Sequence, residues 1–138
     1  MACVLRVSGR RFDVDAYLAG RNPLPATAVF RRGEPKFKVS QPHGKRNQRS
    51  GCNIVVSNKE FGNLSGQMRD AVRFLAKRGP AVRALIRKPG VESAILDFGV
   101  ARRPEAVVQV DVLPEELVRL AGMLGLALAL SLYPAADE

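Results

Sequence analysis

The chain has 138 residues, 46% of them hydrophobic, with 22 Lys and Arg against 13 Asp and Glu and a formal charge of +9. That length suits one domain with a real core, and the ordinary apolar content excludes disorder. The late apolar run, Leu124 to Tyr133, has ten residues and is too short to cross a bilayer. The charge favours contact with something anionic, such as nucleic acid, an acidic protein or a phosphate-bearing ligand.

In chain order, residues 2–8 alternate Cys3, Leu5 and Val7 against Val4, Arg6 and Ser8, the period of a half-buried strand. The opening MACVLRVSGR lacks the apolar segment of a secretory signal, so a cytoplasmic protein is expected. Asp13 or Asp15 opens a short helix ended by Gly20, and helix capping explains both carboxylates without acid–base chemistry. Thr27–Arg32 reads as a second strand, interrupted by Gly33 and Pro35, with pairing resumed over Lys36–Val39. Ser40–Gly51 contains no large apolar residue and reads as a mobile polar connection.

The next stretch organises the chain. Cys52, Ile54 and Val56 alternate with Asn53, Val55 and Ser57 in a β-branched strand. From Leu64 the period changes: Leu64, Met68, Ala71, Val72 and Leu75 form one helical stripe, capped by Asn63 or Ser65 and stopped by Gly79–Pro80. Pro80 then opens a second helix that Pro89–Gly90 ends, and Val91–Val100 returns to strand periodicity. Val107–Leu113 (VVQVDVL) alternates as a further strand. Pro114 opens a helix with Leu117, Leu120, Ala121 and Leu124 in its stripe, and Gly125 stops it. Leu126–Tyr133 is the most regular strand, with Leu126, Leu128, Leu130 and Leu132 facing the helices and Leu128 expected in the main core.

Three successive strand–helix–strand units predict an α+β domain spanning residues 1–138. Its sheet is largely antiparallel with helices on one face, as ferredoxin-like units extended by a third. Cys3 and Cys52 lie near the starts of strands which, as antiparallel neighbours, hold the thiols at opposite ends; two buried, reduced cysteines are expected. With His43 the only histidine, a zinc ligand set is lacking. No nucleophile-elbow, phosphate-loop or dinucleotide-binding signature is present, so a protein without catalysis or cofactor is expected, with a spatially assembled enzyme site as the third alternative.

Two surfaces are candidates. Alternation gives the sheet a second face of Arg6, Ser8, Asn53, Ser57, Asp97, Gln109, Asp111, Ala127, Ala129 and Ser131, with Arg6 paired to Asp97 or Asp111. Arg6, Asn53, Asp97, Gln109 and Asp111 are its candidate partner-binding residues, and the small Ala127, Ala129 and Ser131 suit a homodimer. The other surface is basic. Arg69, Arg73 and Lys77 are spaced by four on the central helix, Arg83 and Arg87 repeat that spacing, and Lys45, Arg46 and Arg49 complete a polyanion-binding set. These segments carry almost no aromatics besides Phe37, which argues against single strands stacked on an aromatic platform.

The segments VLRVSGRRFDVDAYLAG, PATAVFRRGEP, NIVVS through LDFGV, and LPEELVRLAGMLGLALALSLYP cover most of the chain in that order. Together they resemble an uncharacterised bacterial family, domain of unknown function four-two-seven-nine. Members often have a tryptophan before a Lys/Arg-Gly-Glu step; here Val29 and Phe30 precede Arg31-Arg32-Gly33-Glu34, and the chain has no tryptophan. The resemblance implies no catalytic residue or cofactor, and its one functional implication, from members lying near toxin genes, is an immunity-like role. The function expected is therefore non-catalytic binding of a protein partner, with nucleic-acid or polyanion binding as the alternative and no membrane contact.

Overall fold

Strand β1 (Cys3–Gly9) is the axis of a five-stranded sheet in the computed structural model, which describes residues 2–134. Strands β5 (Ser50–Ser57) and β6 (Ser93–Ala101) flank it, both antiparallel to it. Strand β2 (Ala28–Phe30) lies outside β5, and β7 (Ala127–Tyr133) lies outside β6 in the one parallel pairing, giving the order β2-β5-β1-β6-β7. Strands β3 (Pro35–Phe37) and β4 (Gln41–Arg46) form a separate hairpin. The helices are α1 (Val14–Leu18), α2 (Leu64–Ile86) and α3 (Glu115–Leu124). The class is α+β with a mostly antiparallel sheet, as expected.

Alternation decides which residues meet the helices. Leu5, Val7, Cys52, Ile54, Leu96 and Phe98 are buried on one face, and α2 lays Met68, Ala71, Leu75, Val82 and Leu85 against the same core. Each large side chain so buried stabilises by about 1.5–3 kcal/mol. The helix ends follow local chemistry: Asp13 Oδ1 accepts the Ala16 N–H at 3.0 Å, Asn63 Oδ1 accepts the Gly66 N–H at 3.0 Å, and Gly125 closes α3 with φ 85°.

Four expectations are corrected. First, α2 does not stop at Gly79–Pro80 but runs through to Ile86. Met68, Ala71, Leu75, Gly79, Val82 and Leu85 are all buried and recur by three or four, so the apolar stripe continues across the proline. Pro80 lies on the exposed side, where water can serve the Ala76 carbonyl that loses its N–H donor.

Second, Val107–Leu113 is not a strand. Alternation needs a ladder to pair with: β6 already has β1 on one side and β7 on the other, and the segment lies beside the free outer edge of β7 without pairing to it. Instead the segment is tied down by Gln109, whose Oε1 accepts the Arg103 N–H at 2.8 Å and whose Nε2 donates to the Ala101 carbonyl at 3.3 Å. Val107, Val108, Val110 and Val112 are left 101%, 72%, 70% and 76% exposed.

Third, the polar stretch Ser40–Gly51 holds β4 and the start of β5; β4 is exposed along its whole length, so no apolar alternation announced it. Fourth, the late leucines are unequally covered. Leu126 is buried and Leu128 half-buried, but Leu130 and Leu132 stand 39% and 60% exposed. They continue the core face, level with Phe98 and Val100 on β6, but β7 is an edge strand and the ten-residue α3 covers only part of it.

Cys3 pairs in register with Ser57 and Val7 with Cys52, so the thiols sit at opposite ends of the β1–β5 ladder, free and buried. Burial raises both thiol pKa values, that of Cys52 from 9.0 to about 11. A folded-state pKa above the unfolded one stabilises the fold below about pH 9, and that contribution is lost as pH rises through about 11. The expected results are that a thiol reagent at pH 8 labels neither cysteine until denaturant is added, and that the denaturation midpoint falls between pH 9 and 11. Rapid labelling of the native protein at pH 8 would contradict this burial.

Candidate functional site

The face of the sheet away from the helices carries three of the five candidate partner residues together. Arg6 stands opposite Asn53 on β5, and its Nε donates to Asp97 Oδ2 at 3.1 Å. Ser131 Oγ on β7 donates to Asp97 Oδ1 at 2.7 Å. With its amide turned to suit its neighbours, Asn53 accepts from Arg6 Nη1 at 3.1 Å. Both Asp97 oxygens are thus engaged, and its side chain is only 13% exposed. This network clips β5, β1, β6 and β7 side by side.

Gln109 and Asp111 do not join it, because their segment lies off the sheet: Arg103 Nη2 reaches Asp111 Oδ1 at 3.3 Å, and Gln109 Nε2 donates to Asp111 Oδ2 at 3.0 Å. Ser57 also leaves the face. The β1–β5 register shifts between Cys3 and Val4, so Val56 bulges and Ser57 turns inward to donate to Asp70 Oδ2 on α2 at 2.6 Å.

The basic set divides in two. Arg69, Arg73, Lys77 and Arg83 are exposed on a single helix, α2, rather than two, with exposed Arg87 at its C-cap, over about 27 Å at 1.5 Å per residue. Arg73 lies 3.6 Å from Asp70. Lys45, Arg46 and Arg49 are on the other side of the sheet. They line a cleft of about 440 Å³ with Lys36, Asn47, Gln48, Ser8 and Phe30.

That cleft exists because the chain leaving β2 and returning into β5 stays paired: Phe30 is opposite Gly51, Gly33 N–H donates to the Asn47 carbonyl at 2.8 Å, and Pro35 is opposite Arg46. The result is one hairpin arm running off the sheet. Gly51 gives the cleft its floor, since a Cβ there would lie 2.7 Å from the Phe30 ring and 2.2 Å from the Val7 carbonyl oxygen.

A third surface was not legible as a surface. At the outer edge of β7, Leu130 and Leu132 line a groove of about 490 Å³ with Arg102, Arg103, Ala106, Val107, Gln109 and Asp111. On the far side of the Val107–Leu113 segment, Val112 and Pro114 face Met68, Arg69, Val72 and Arg73 of α2 across a second groove of about 520 Å³. At the end of β7 the Tyr133 ring stacks on Phe61, with centroids 4.5 Å apart, and Phe61 in turn packs against Gly99. The signal for this patch was in the sequence as VVQVDVL, whose valines could be counted but not placed.

Among the described residues no three His, Cys, Asp or Glu side chains cluster as metal ligands, and His43 is exposed on β4. No helix among them is long and apolar enough to cross a membrane. No family model, curated protein or solved structure matches the chain.

Proposed function

We propose that the protein is a non-catalytic binding domain of the cytoplasm that takes up another protein at the outer edge of β7. One observation carries the reading: that edge has no strand partner among the described residues, yet its side chains are leucines and its flank is a row of exposed valines. Monomeric proteins blunt strand edges with charge, proline or cover. Here Leu130, Leu132 and Val107 stand in water beside open backbone donors and acceptors, which suits an added strand: main-chain hydrogen bonds give affinity and the apolar side chains give selectivity.

A second copy of the chain is one such partner, since two β7 strands can meet antiparallel across a two-fold axis. Ala127, Ala129 and Ser131 then continue the contact with small residues. The resemblance to the uncharacterised family, and the immunity-like role it implies, belong to this same proposal and add no catalytic residue.

Leu132→Glu is the test. Its side chain is already mostly in water, so the fold is expected to survive, while capture of partner from native extract, with nuclease present, is expected to fall about tenfold or more, the loss of one central interface contact. Sedimentation equilibrium of the wild-type chain then separates a second copy from a different protein. Unchanged capture by Leu132→Glu would remove the β7 edge as the site.

A further inference from the structure

We infer that the cleft under the hairpin arm binds single-stranded nucleic acid, with a base against Phe30 and the backbone phosphates along Lys36, Lys45, Arg46 and Arg49. This surface is separate from the β7 edge and independent of the reading built on it.

The charge there is concentrated and not tied up in ion pairs. None of Lys36, Lys45, Arg46 or Arg49 forms an ion pair with a carboxylate among the described residues. Arg46 spends one donor on the Gly33 carbonyl at 2.7 Å and keeps the rest. Next to the cleft, Arg32 Nη1 lies 3.4 Å from the Arg10 carbonyl. The nearby Glu92 carboxylate is held below its ordinary range by the Arg10 backbone N–H and then by the charges of Arg49, Arg10 and Arg11. Arg10 and Arg11 after β1 and Arg49 before β5 thus act on one carboxylate, while Glu34 on the arm is taken up by Arg31 and Lys38. By contrast, Arg73 in the α2 stripe already has Asp70.

Charge alone would fit any polyanion. The ring narrows the choice. Phe30 lies over Gly51, which has no side chain to lift it, and lines the cleft as a half-buried aromatic ring beside the cations. Stacking on an aromatic with phosphates on flanking Lys and Arg is the pairing that single strands use, and an acidic peptide has no need of the ring. The sequence suggested that the basic segments lacked such a platform; the fold supplies one from β2, outside the polar stretch. The cleft's 440 Å³ lies within the range of about 300–1,000 Å³ typical of small-ligand sites, enough for a base rather than a duplex.

The probes are fluorescent oligo(dT) and oligo(U), which share this chemistry and differ at the 2′-hydroxyl, with polyglutamate as competitor. The full chain is expected to bind both oligonucleotides, with affinity falling steeply as salt rises. Lys36→Gln with Lys45→Gln changes two exposed, unpaired side chains and is expected to reduce the magnitude of the salt slope by about 1.4, at about 0.7 per phosphate contact on a single strand. Phe30→Leu is expected to weaken binding roughly five- to a hundredfold with the slope kept, the loss of one stacked base. Glutamine at Arg69, Arg73 and Lys77 together is expected to leave both quantities unchanged. The proposal is overturned by no binding at low salt, or by a slope that responds to the α2 triple change and not to the arm. It is also overturned by polyglutamate competing at equal charge while Phe30→Leu has no effect, which would make the cleft a site for acidic protein.

Discussion

Leu85→Ala is expected to destabilise the fold by about 2–5 kcal/mol, and Pro80→Ala to stabilise it by about 2 kcal/mol. Leu85 is fully buried and lies five residues beyond the proline. Its removal leaves a cavity in the main core, for which Leu→Ala costs fall in that range. Pro80 acts in the opposite sense. In the interior of α2 a proline forfeits one hydrogen bond and crowds the preceding turn, at about 3 kcal/mol relative to alanine. About 1 kcal/mol of that returns through the stiffer unfolded chain, leaving the net gain stated.

The sign is the informative part. Were Pro80 the first residue of a separate helix, alanine there would be neutral or harmful. Urea titrations of the two variants with a common slope measure both effects, and a Pro80→Ala protein less stable than wild type would contradict the continuous helix.

Gly90→Ala is expected to cost about 2–5 kcal/mol from backbone strain and overlap together. Gly90 has φ 87°, and a Cβ on it would sit 2.3 Å from the Arg11 carbonyl oxygen; a Cβ on Gly9 would lie 1.8 Å from the carbonyl oxygen of Gly90 itself. Two backbones cross here without side chains because the connection from α2 must pass over the end of β1 before the Glu92 N–H reaches the Ser8 carbonyl at 2.9 Å. Gly122→Ala is the comparison. That glycine is exposed within α3 with nothing within 4 Å, so alanine should stabilise by about 0.5–1 kcal/mol. Equal effects at the two positions would mean that the crossing tolerates a side chain.

What the sequence made legible was periodicity with a local cause. Cys3–Leu5–Val7, Cys52–Ile54, Leu64–Met68–Leu75 and Leu117–Ala121 each announced one buried face, and Asn63, Asp13 and Gly125 announced helix ends, because these depend on residues only a few positions apart. Of the two partners expected for Arg6, Asp97 is the one it meets, because both lie on strands of clear alternation, whereas Asp111 lies off the sheet. What escaped depends on partners distant in sequence. The valines of Val107–Leu113 alternate as well as any strand, but β6 is flanked on both sides and they do not pair with the free edge of β7. The proline rule at Pro80 was outweighed by Val82 and Leu85, whose burial is a tertiary fact. A bulge at Val56 moved Ser57 to the other face, and a bulge has no signature in alternation. Lys45, Arg46 and Arg49 were visible as cations. Their convergence with Lys36 and Phe30 required the arm to pair as a hairpin, and an exposed hairpin with no apolar period carries no such signal.

The position of β1 has a consequence in time. It is the central strand, yet it precedes both of its neighbours in the chain: β5 is complete only at Ser57 and β6 only at Ala101. At about 5–20 residues per second, roughly 5–20 seconds of synthesis separate Gly9 from Ala101. Throughout that interval the apolar run Cys3–Val7 is without one or both of the ladders that later shelter it. The central strand is thus the one that waits longest in an open state, and a net positive charge disfavours contact between nascent copies of that run.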